Sequence, residues 1–496
     1  MLILKRTLAI VLMIGLSIYF VRAFDSRTMG PLYAEHRLEL SAEYQAGTEI
    51  DWAGYIALEH RLSDDLNRAL ADRIPPYKSL NRHSTNGANN AETYKINFNR
   101  SYALQPANQV GSAVLIHGLT DSPYSVRSTA ELFQQLGFHT YAPRLPGHGF
   151  AVGALRHADW QDWMDIVKMA MREAHQKRQP GQPLVLGGYS NGGILSLKYA
   201  IDCQTEPDMP CPDAILLLSP AIKVSPFAIF AKLHTLVSWL DYFEQFQWES
   251  IYPEIDPYKY TSFPKNPGWE TGELSSHINE VIETGGLNLP PILAFQSVVD
   301  STVNAGALVN LFNNLDANQH YLVLYDTNRS DNISEWIEVE LKNFVDLEEE
   351  APYDYSISVL SNTSPDSSAV QEKWLPEGSK HFEAISTNLS WPEDIYSLSH
   401  IALPFPPEDP VYGQDGFAVG ARALKGEKKV MRLNPDYFLR LRYNPFYKWQ
   451  ENKISSWLQS HTDKTVAIPL LQHEVSLMGH ELQAFESEGA RELTNN

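Results

Sequence analysis

The stretch "LVLGGYSNGG", Leu184 to Gly193, governs how this chain is read. An apolar run ends abruptly in glycines, and Ser190 stands between Gly188 and Gly192, with Gly193 beyond. The preceding "PLVLGG" reads as a buried strand and the following "GGILSLKYA" as a helix. A serine at such a strand-to-helix turn is forced into a strained conformation, and flanking glycines let the turn pass close to neighbouring backbone. The turn would raise the Ser190 hydroxyl above the carboxyl edge of the sheet. The alternative reading is a glycine-rich turn with no chemistry.

Working outward, "SAVLIHG", "FHTYAPRLPGHG", "DAILLLSPA", "PPILAFQSVVD" and "HYLVLYD" are further apolar runs that break at Gly, Pro, Ser or polar residues. Helical patterns lie between them, in "SVRSTAELFQQLG", "WQDWMDIVKMAMREAHQ" and "GGILSLKYAID". Strand alternating with helix implies an α/β fold, a mostly parallel central sheet flanked by helices. Upstream, "TEIDWAGYIALEHRLSDDLNRAL" has amphipathic helical spacing, and "ETYKINF" alternates as a strand would. "YDYSISVLSNTS" allows one more strand in an otherwise irregular region after Asp346, and "NPFYKWQENKISSWLQS" reads as a late helix. Between Ala221 and Pro290 the alternation stops. "SPFAIFAKLHTLVSWLDYFEQFQW" places Phe227, Phe230, Leu233, Val237 and Leu240 at helical spacing. Core packing explains that spacing; so does a helical cap over the site, with Phe227, Phe230 and Trp239 as candidate substrate contacts.

A free serine hydroxyl is a weak nucleophile, so Ser190 needs a histidine base and an acid to orient that base. Acyl chemistry also builds negative charge on a carbonyl oxygen, which calls for paired backbone N–H donors. "LIHGLTDSP", after the strand "AVLI", offers the N–H of Leu119; Asn191, next to the nucleophile, offers the second. His117 reads as a structural residue that shapes this loop.

Taken together and in this order, "HGLTDSP", "PRLPGHG", "WQDW" and "GGYSNGG" resemble the monoacylglycerol lipase and serine aminopeptidase branch of the α/β-hydrolases, over about Val110 to Ala221. The resemblance implies a Ser-His-Asp triad and gives His148 of "PGHG" a structural role. It places the acid after a late strand, where Asp300 follows "PPILAFQSVV" and is the acid expected; the alternative is a turn aspartate capping the helix "NAGALVNLFNNL". It places the base a few tens of residues later, after the next strand. Here "HYLVLYDTNRSDN" is followed by no histidine at that distance, and His320 lies at the wrong end of its strand. The downstream candidates are His381, His400, His461, His473 and His480; His400, in "YSLSHIALPF", sits between an extended segment and a Pro-rich turn and is the base expected, with His381 next. The long separation of acid from base implies an insertion.

The 496 residues are 43% hydrophobic, enough for a large core, and the net charge of −21 argues against nucleic-acid binding. Neither a CxxC pair nor an HExxH pattern occurs, so no metal site is expected, and a serine hydrolase needs no cofactor. Lys5 and Arg6 precede an apolar run from Thr7 to Val21, which suits a signal peptide ending at Val21-Arg22-Ala23 or an uncleaved membrane anchor; either implies export, to the periplasm or beyond. In an exported chain, Cys203 and Cys211 are expected to form a disulfide. The expected organisation is a leader or anchor (1–24), an N-terminal helical extension with the first strand or strands (25–105), the first half of a hydrolase core (106–220), a cap (221–290), the second half of the core with its insertion (291–430), and a C-terminal helical segment with a polar tail (431–496). The expected activity is hydrolysis of small-molecule carboxylic esters with acyl chains. A peptidase or amidase using the same triad and, further off, a non-catalytic binding protein are the alternatives.

Overall fold

A strand covered by helices on both faces runs almost continuously apolar, because successive side chains enter opposite layers. The central strands obey this rule. In the computed structural model the described residues are 2–25, 30–38, 40, 43–74, 80–87, 89–94, 96–223, 241–330, 347, 351–414 and 440–461. The strands are β1 (Tyr102–Leu104), β2 (Gly111–Ile116), β3 (Phe138–Ala142), β4 (Leu184–Tyr189), β5 (Ala214–Leu218), β6 (Trp248–Ser250), β7 (Phe263–Pro264), β8 (Ile292–Ser297), β9 (Tyr321–Tyr325), β10 (Ser356–Asn362), β11 (Ala369–Leu375) and β12 (Glu383–Ser390). The helices are α1 (Leu2–Asp25), α2 (Trp52–Leu70), α3 (Arg127–Gln135), α4 (Trp160–Lys177), α5 (Asn191–Asp202), α6 (Lys265–Thr284), α7 (Ala305–Phe312) and α8 (Tyr447–His461).

Among the described residues the main sheet has ten strands in the order β1-β3-β2-β4-β5-β8-β9-β10-β11-β12. Strands β3 through β10 in that order run parallel; β1 pairs antiparallel at one edge, and β11 and β12 at the other. Alternate residues divide between two apolar layers. Val114, Leu186, Leu217 and Ala294 face α4, α5 and α6, through Trp163, Ile194 and Ile278. Leu115, Val185, Leu216 and Leu293 face α3 and α8, through Phe133, Trp457 and Leu458. This is the mostly parallel sheet flanked by helices that the sequence implies.

Helix α2 is capped by Asp51, whose side chain accepts from the Gly54 N–H, and buries Tyr55, Leu62 and Leu66 against Ile166 and Phe150. Its Glu59 pairs with the wholly buried Arg144 of "PRLPGHG" (Oε1 to Nε, 3.0 Å), and Glu43 pairs with the same guanidinium at 2.9 Å. A buried pair of this kind fixes where α2 sits more than it stabilises the fold. Among its described residues "ETYKINF" forms no strand: the Asn90 side chain accepts from the Glu92 N–H and starts a 3₁₀ turn at Ala91–Thr93. The edge of the sheet is taken instead by Tyr102–Leu104, opposite Ala142, Tyr141 and Thr140.

Helix α1 continues unbroken through Val21-Arg22-Ala23 and its apolar side chains are largely exposed, with Leu4, Leu8 and Val21 at 60% or more. Its 24 residues span about 36 Å, enough by length and composition to cross a bilayer. Its C-terminal end meets the body, where Ala23 is buried and the Tyr19 ring lies edge-on to Phe246 at 5.4 Å. Cys203 and Cys211 are bonded, with Cα atoms 5.3 Å apart, and close the turn after α5.

The region after Asp346 is more regular than its composition implies. The chain leaves the sheet after β9, adds β10, β11 and β12 to its edge, and returns to its point of departure. The Asn328 N–H donates to Tyr396 O (2.8 Å), and its Nδ2 donates to Ile395 O (3.0 Å). Asn362 Nδ2 donates to Asn328 Oδ1 at 3.1 Å. The chain between Asn328 and Ile395 thus starts and ends at one closed neck. Replacing Asn328 with alanine removes the side-chain bonds of that neck and should lower the free energy of unfolding in urea by about 1–3 kcal/mol; a change within about 0.5 kcal/mol, typical of a surface site, would contradict this role.

Candidate active site

The turn after β4 is strained. Ser190 has φ 52° and ψ −111°, a region that side chains with a Cβ rarely enter and that costs about 1–3 kcal/mol. Its surroundings leave the backbone no other course. The Ser190 N–H donates to Leu218 O of β5 (2.9 Å), and its carbonyl accepts from the N–H groups of Gly193 (3.0 Å) and Ala221 (3.0 Å). A Cβ on Gly188 would stand 2.1 Å from Gly192 O, and one on Gly192 would stand 2.1 Å from Ile116 O. The two glycines around Ser190 are thus required by backbone packed directly on backbone. Thr120 (φ 63°) and Ser219 (φ 43°) are also strained, after the neighbouring strands β2 and β5. Strain gathered at one edge of a sheet is characteristic of functional sites.

The loop after β2 is pinned from several sides. The buried His117 accepts the Leu145 N–H at Nε2 (2.9 Å), which leaves Nδ1 to donate to Gly118 O (2.8 Å). Burial holds its pKa well below the usual imidazole value, so it stays neutral. The Tyr260 N–H donates to Thr120 O (2.8 Å), and Lys259 pairs with Asp121 at 3.0 Å. His148 lies against Trp163 with Nδ1 3.0 Å from Pro146 O, and burial lowers its pKa to about 3. Both histidines serve the loops, as their motifs imply. Among the described residues, neither the Leu119 N–H nor the Asn191 N–H donates to a backbone carbonyl. The Asn191 side chain is held below, its Oδ1 accepting from Thr271 at 3.1 Å.

Asp300 follows β8, with its side chain fully buried. Its Oδ1 accepts from the N–H groups of Thr302 (2.8 Å) and Val303 (3.1 Å), and its Oδ2 from Gln296 Nε2 (3.1 Å). Asn304, not Asp300, caps α7, through the Ala307 N–H at 3.0 Å, so Asp300 holds its own turn but not the helix. His400 begins the 3₁₀ turn His400–Ala402, just beyond the neck of the insertion. The Leu398 carbonyl before it is anchored to β8 by the Ser297 hydroxyl (2.9 Å). The His400 ring lies nearly parallel to that of Tyr189, the neighbour of Ser190, with centroids 6.2 Å apart, and its Nδ1 is 3.7 Å from Asp300 Oδ1. Burial first, then the charges of Arg440 and Lys259, hold its pKa well below the usual imidazole value, so the ring is neutral near pH 7.

Ser190 follows β4 and Asp300 follows β8, with β5 between these strands, and the 3₁₀ turn of His400 lies against Asp300 and against Tyr189, the neighbour of Ser190. His381 is exposed before β12, and His320 sits at the opposite end of its strand, where Nδ1 accepts the Ile292 N–H. His461 ends α8, and His473 and His480 fall outside the described residues. Phe227, Phe230 and Trp239 also lie outside them. Of the surrounding segment, α6 packs on the sheet, and β6 pairs with β7. Arg440, with Nη2 3.0 Å from His400 Nδ1, carries no local motif and escapes sequence reading.

Residues 107–266 match the family described as serine aminopeptidase, S33. Over 87 residues the chain is 32% identical to the thermostable monoacylglycerol lipase of Bacillus sp. (strain H-257), an alignment covering 18% of this chain and 34% of that protein. The chain thus spans about a third of the length of this curated relative. Among solved structures, one from the metagenome-derived lipolytic enzymes LipS and LipT aligns with 46% of this chain and 87% of its own at 18% identity, with a TM-score of 0.37. The monoacylglycerol lipase of Paleococcus ferrophilus aligns with 46% of this chain and 88% of its own at 19% identity, with a TM-score of 0.36.

The packing around the serine turn has a direct consequence. Gly192→Ala must push Ile116 and the β2 backbone aside, and should lower stability by at least about 2 kcal/mol by the usual scale of overpacked sites. Thermal and urea unfolding read this, and a variant as stable as the wild type would show that the turn has room to spare.

Proposed function

We propose that this chain, an α/β-hydrolase of the monoacylglycerol lipase and serine aminopeptidase branch, hydrolyses carboxylic esters through a Ser190–His400–Asp300 triad. The observation that carries the reading is the convergence of a strained, glycine-packed serine with a buried neutral histidine and a buried aspartate at one sheet edge. In the reacting state His400 Nε2 takes the proton from Ser190 Oγ as the oxygen attacks the ester carbonyl. The carbonyl oxygen gains negative charge and is met by the N–H groups of Leu119 and Asn191. His400 then protonates the leaving alcohol. In the second half it takes a proton from water, which attacks the acyl-enzyme, and returns that proton to Ser190. Asp300 accepts from Nδ1–H and holds the ring in the tautomer that leaves Nε2 free.

The substrate we assign is a small-molecule ester with an apolar acyl chain. The curated relative named above is a monoacylglycerol lipase, and the aromatic-rich segment with Phe227, Phe230 and Trp239 lies between β5 and β8 in the sequence, where a cap would cover the site. Each methylene buried there would contribute about 0.8 kcal/mol. Export follows as part of the same proposal: the apolar α1, with Lys5 and Arg6 at its start, would act as signal or anchor, and the Cys203–Cys211 bond suits an oxidising compartment.

Two experiments test this. A fluorophosphonate should label the wild type, while Ser190→Ala should fold normally, resist labelling and lose about 10³-fold or more in kcat. His400→Ala should be equally silent and His381→Ala active; the reverse would move the base into the insertion. Against p-nitrophenyl esters of graded length, kcat/KM should rise from acetate to medium chains and exceed that for the matching anilides. An optimum at acetate, or a preference for anilides, would contradict the acyl-ester assignment.

A further inference from the structure

We infer that Arg440 is a positioning residue that holds His400 in a resting tautomer, so that the site must release this side chain to act. The inference rests on the triad reading. A guanidinium has N–H donors and no acceptor. With Arg440 Nη2 at 3.0 Å, His400 Nδ1 must therefore be the acceptor. A neutral imidazole that accepts at Nδ1 carries its single proton on Nε2. A general base facing Ser190 needs the opposite: Nε2 bare, and Nδ1–H donated to the acid.

The acid agrees with the base. Asp300 Oδ1 stands 3.7 Å from His400 Nδ1, beyond hydrogen-bond length, and is occupied by the N–H groups of Thr302 and Val303. Arg440 also donates to Thr302 Oγ1 at 3.1 Å, so one guanidinium bridges the acid's loop and the base's ring. A ring kept neutral by burial and by the nearby cations does not repel the guanidinium, and the contact is self-consistent.

Release needs no covalent change. Once Arg440 swings away, one proton leaves Nε2 for water and one is taken from water at Nδ1. The ring then closes on the Asp300 carboxylate, a stronger acceptor than a neutral donor requires. Arg440 reaches His400 across 40 residues of sequence, from the irregular stretch Arg440–Tyr443 that precedes α8.

The test uses the full chain with Arg440→Met, which keeps an apolar stem and removes every donor. In protein labelled with ¹⁵N-histidine, with His400→Gln used to assign the signal, the wild type should show the proton on Nε2 and Arg440→Met should show it on Nδ1. The second-order rate of fluorophosphonate labelling at Ser190 should rise at least about tenfold; a wrong tautomer can cost a triad up to about 10⁴-fold. Labelling at or below the wild-type rate in a folded Arg440→Met protein, or a wild-type ring protonated at Nδ1, overturns the inference. Should Arg440→Met fail to fold, Arg440→Leu, which likewise carries no donor, is read by the same rate criterion. If neither the wild type nor a folded Arg440 variant labels, the triad reading itself fails and this inference falls with it.

Discussion

The backbone at Ser190, with φ 52° and ψ −111°, is the point on which the other parts converge. It is held by the Ser190 N–H bond to Leu218 O and by contacts in which Gly188 meets Gly192 and Gly192 meets Ile116 with no space for a side chain. Three adjacent strands, β2, β4 and β5, must therefore end in register for the turn to exist. That register is set by their two-faced burial between α4, α5 and α6 on one side and α3 and α8 on the other. The strain at the serine is sustained by a large apolar core. Thr120 and Ser219, on the loops either side, share the same condition.

The insertion between acid and base follows from a second constraint. In the proposed triad a histidine must return to the serine however far the chain travels in between. Here the chain travels through three extra strands, and Asn328 ties the outgoing strand to the returning segment at Ile395 and Tyr396. The Ser297 bond to Leu398 O then fixes the approach to His400 against the strand that ends before Asp300. The proposed acid and base are separated along the sequence, yet the end of β8 holds both, through Gln296 to Asp300 and through Ser297 to Leu398 O. The β10–β12 extension can grow at the sheet edge without moving the site.

Much of this is legible in the sequence because it is local. A glycine-flanked serine between an apolar strand and a helix declares its turn, and the loops "HGLTD" and "PGHG" declare theirs. Asp300 stands out by following a fully buried, mostly apolar strand. What is not legible depends on contacts between distant segments. The strand expected in "ETYKINF" loses to a side-chain cap at Asn90, because alternation alone does not say which segment wins the sheet edge. Strands β11 and β12 escape notice because an edge hairpin with a wetted face carries polar residues such as those of "EAISTNLS", whose positions are exposed or half-buried. Arg440 has no signature at all; only folding brings its guanidinium to His400.

The most direct measurement is a crystal structure of the protein after reaction with a fluorophosphonate. The phosphorus should be bonded to Ser190 Oγ, with one phosphonyl oxygen within hydrogen-bond distance of both the Leu119 and Asn191 N–H groups and His400 Nε2 turned to the leaving-group side. A phosphonyl group on another residue, or one on Ser190 whose oxygen points away from those two donors, would contradict the site assignment.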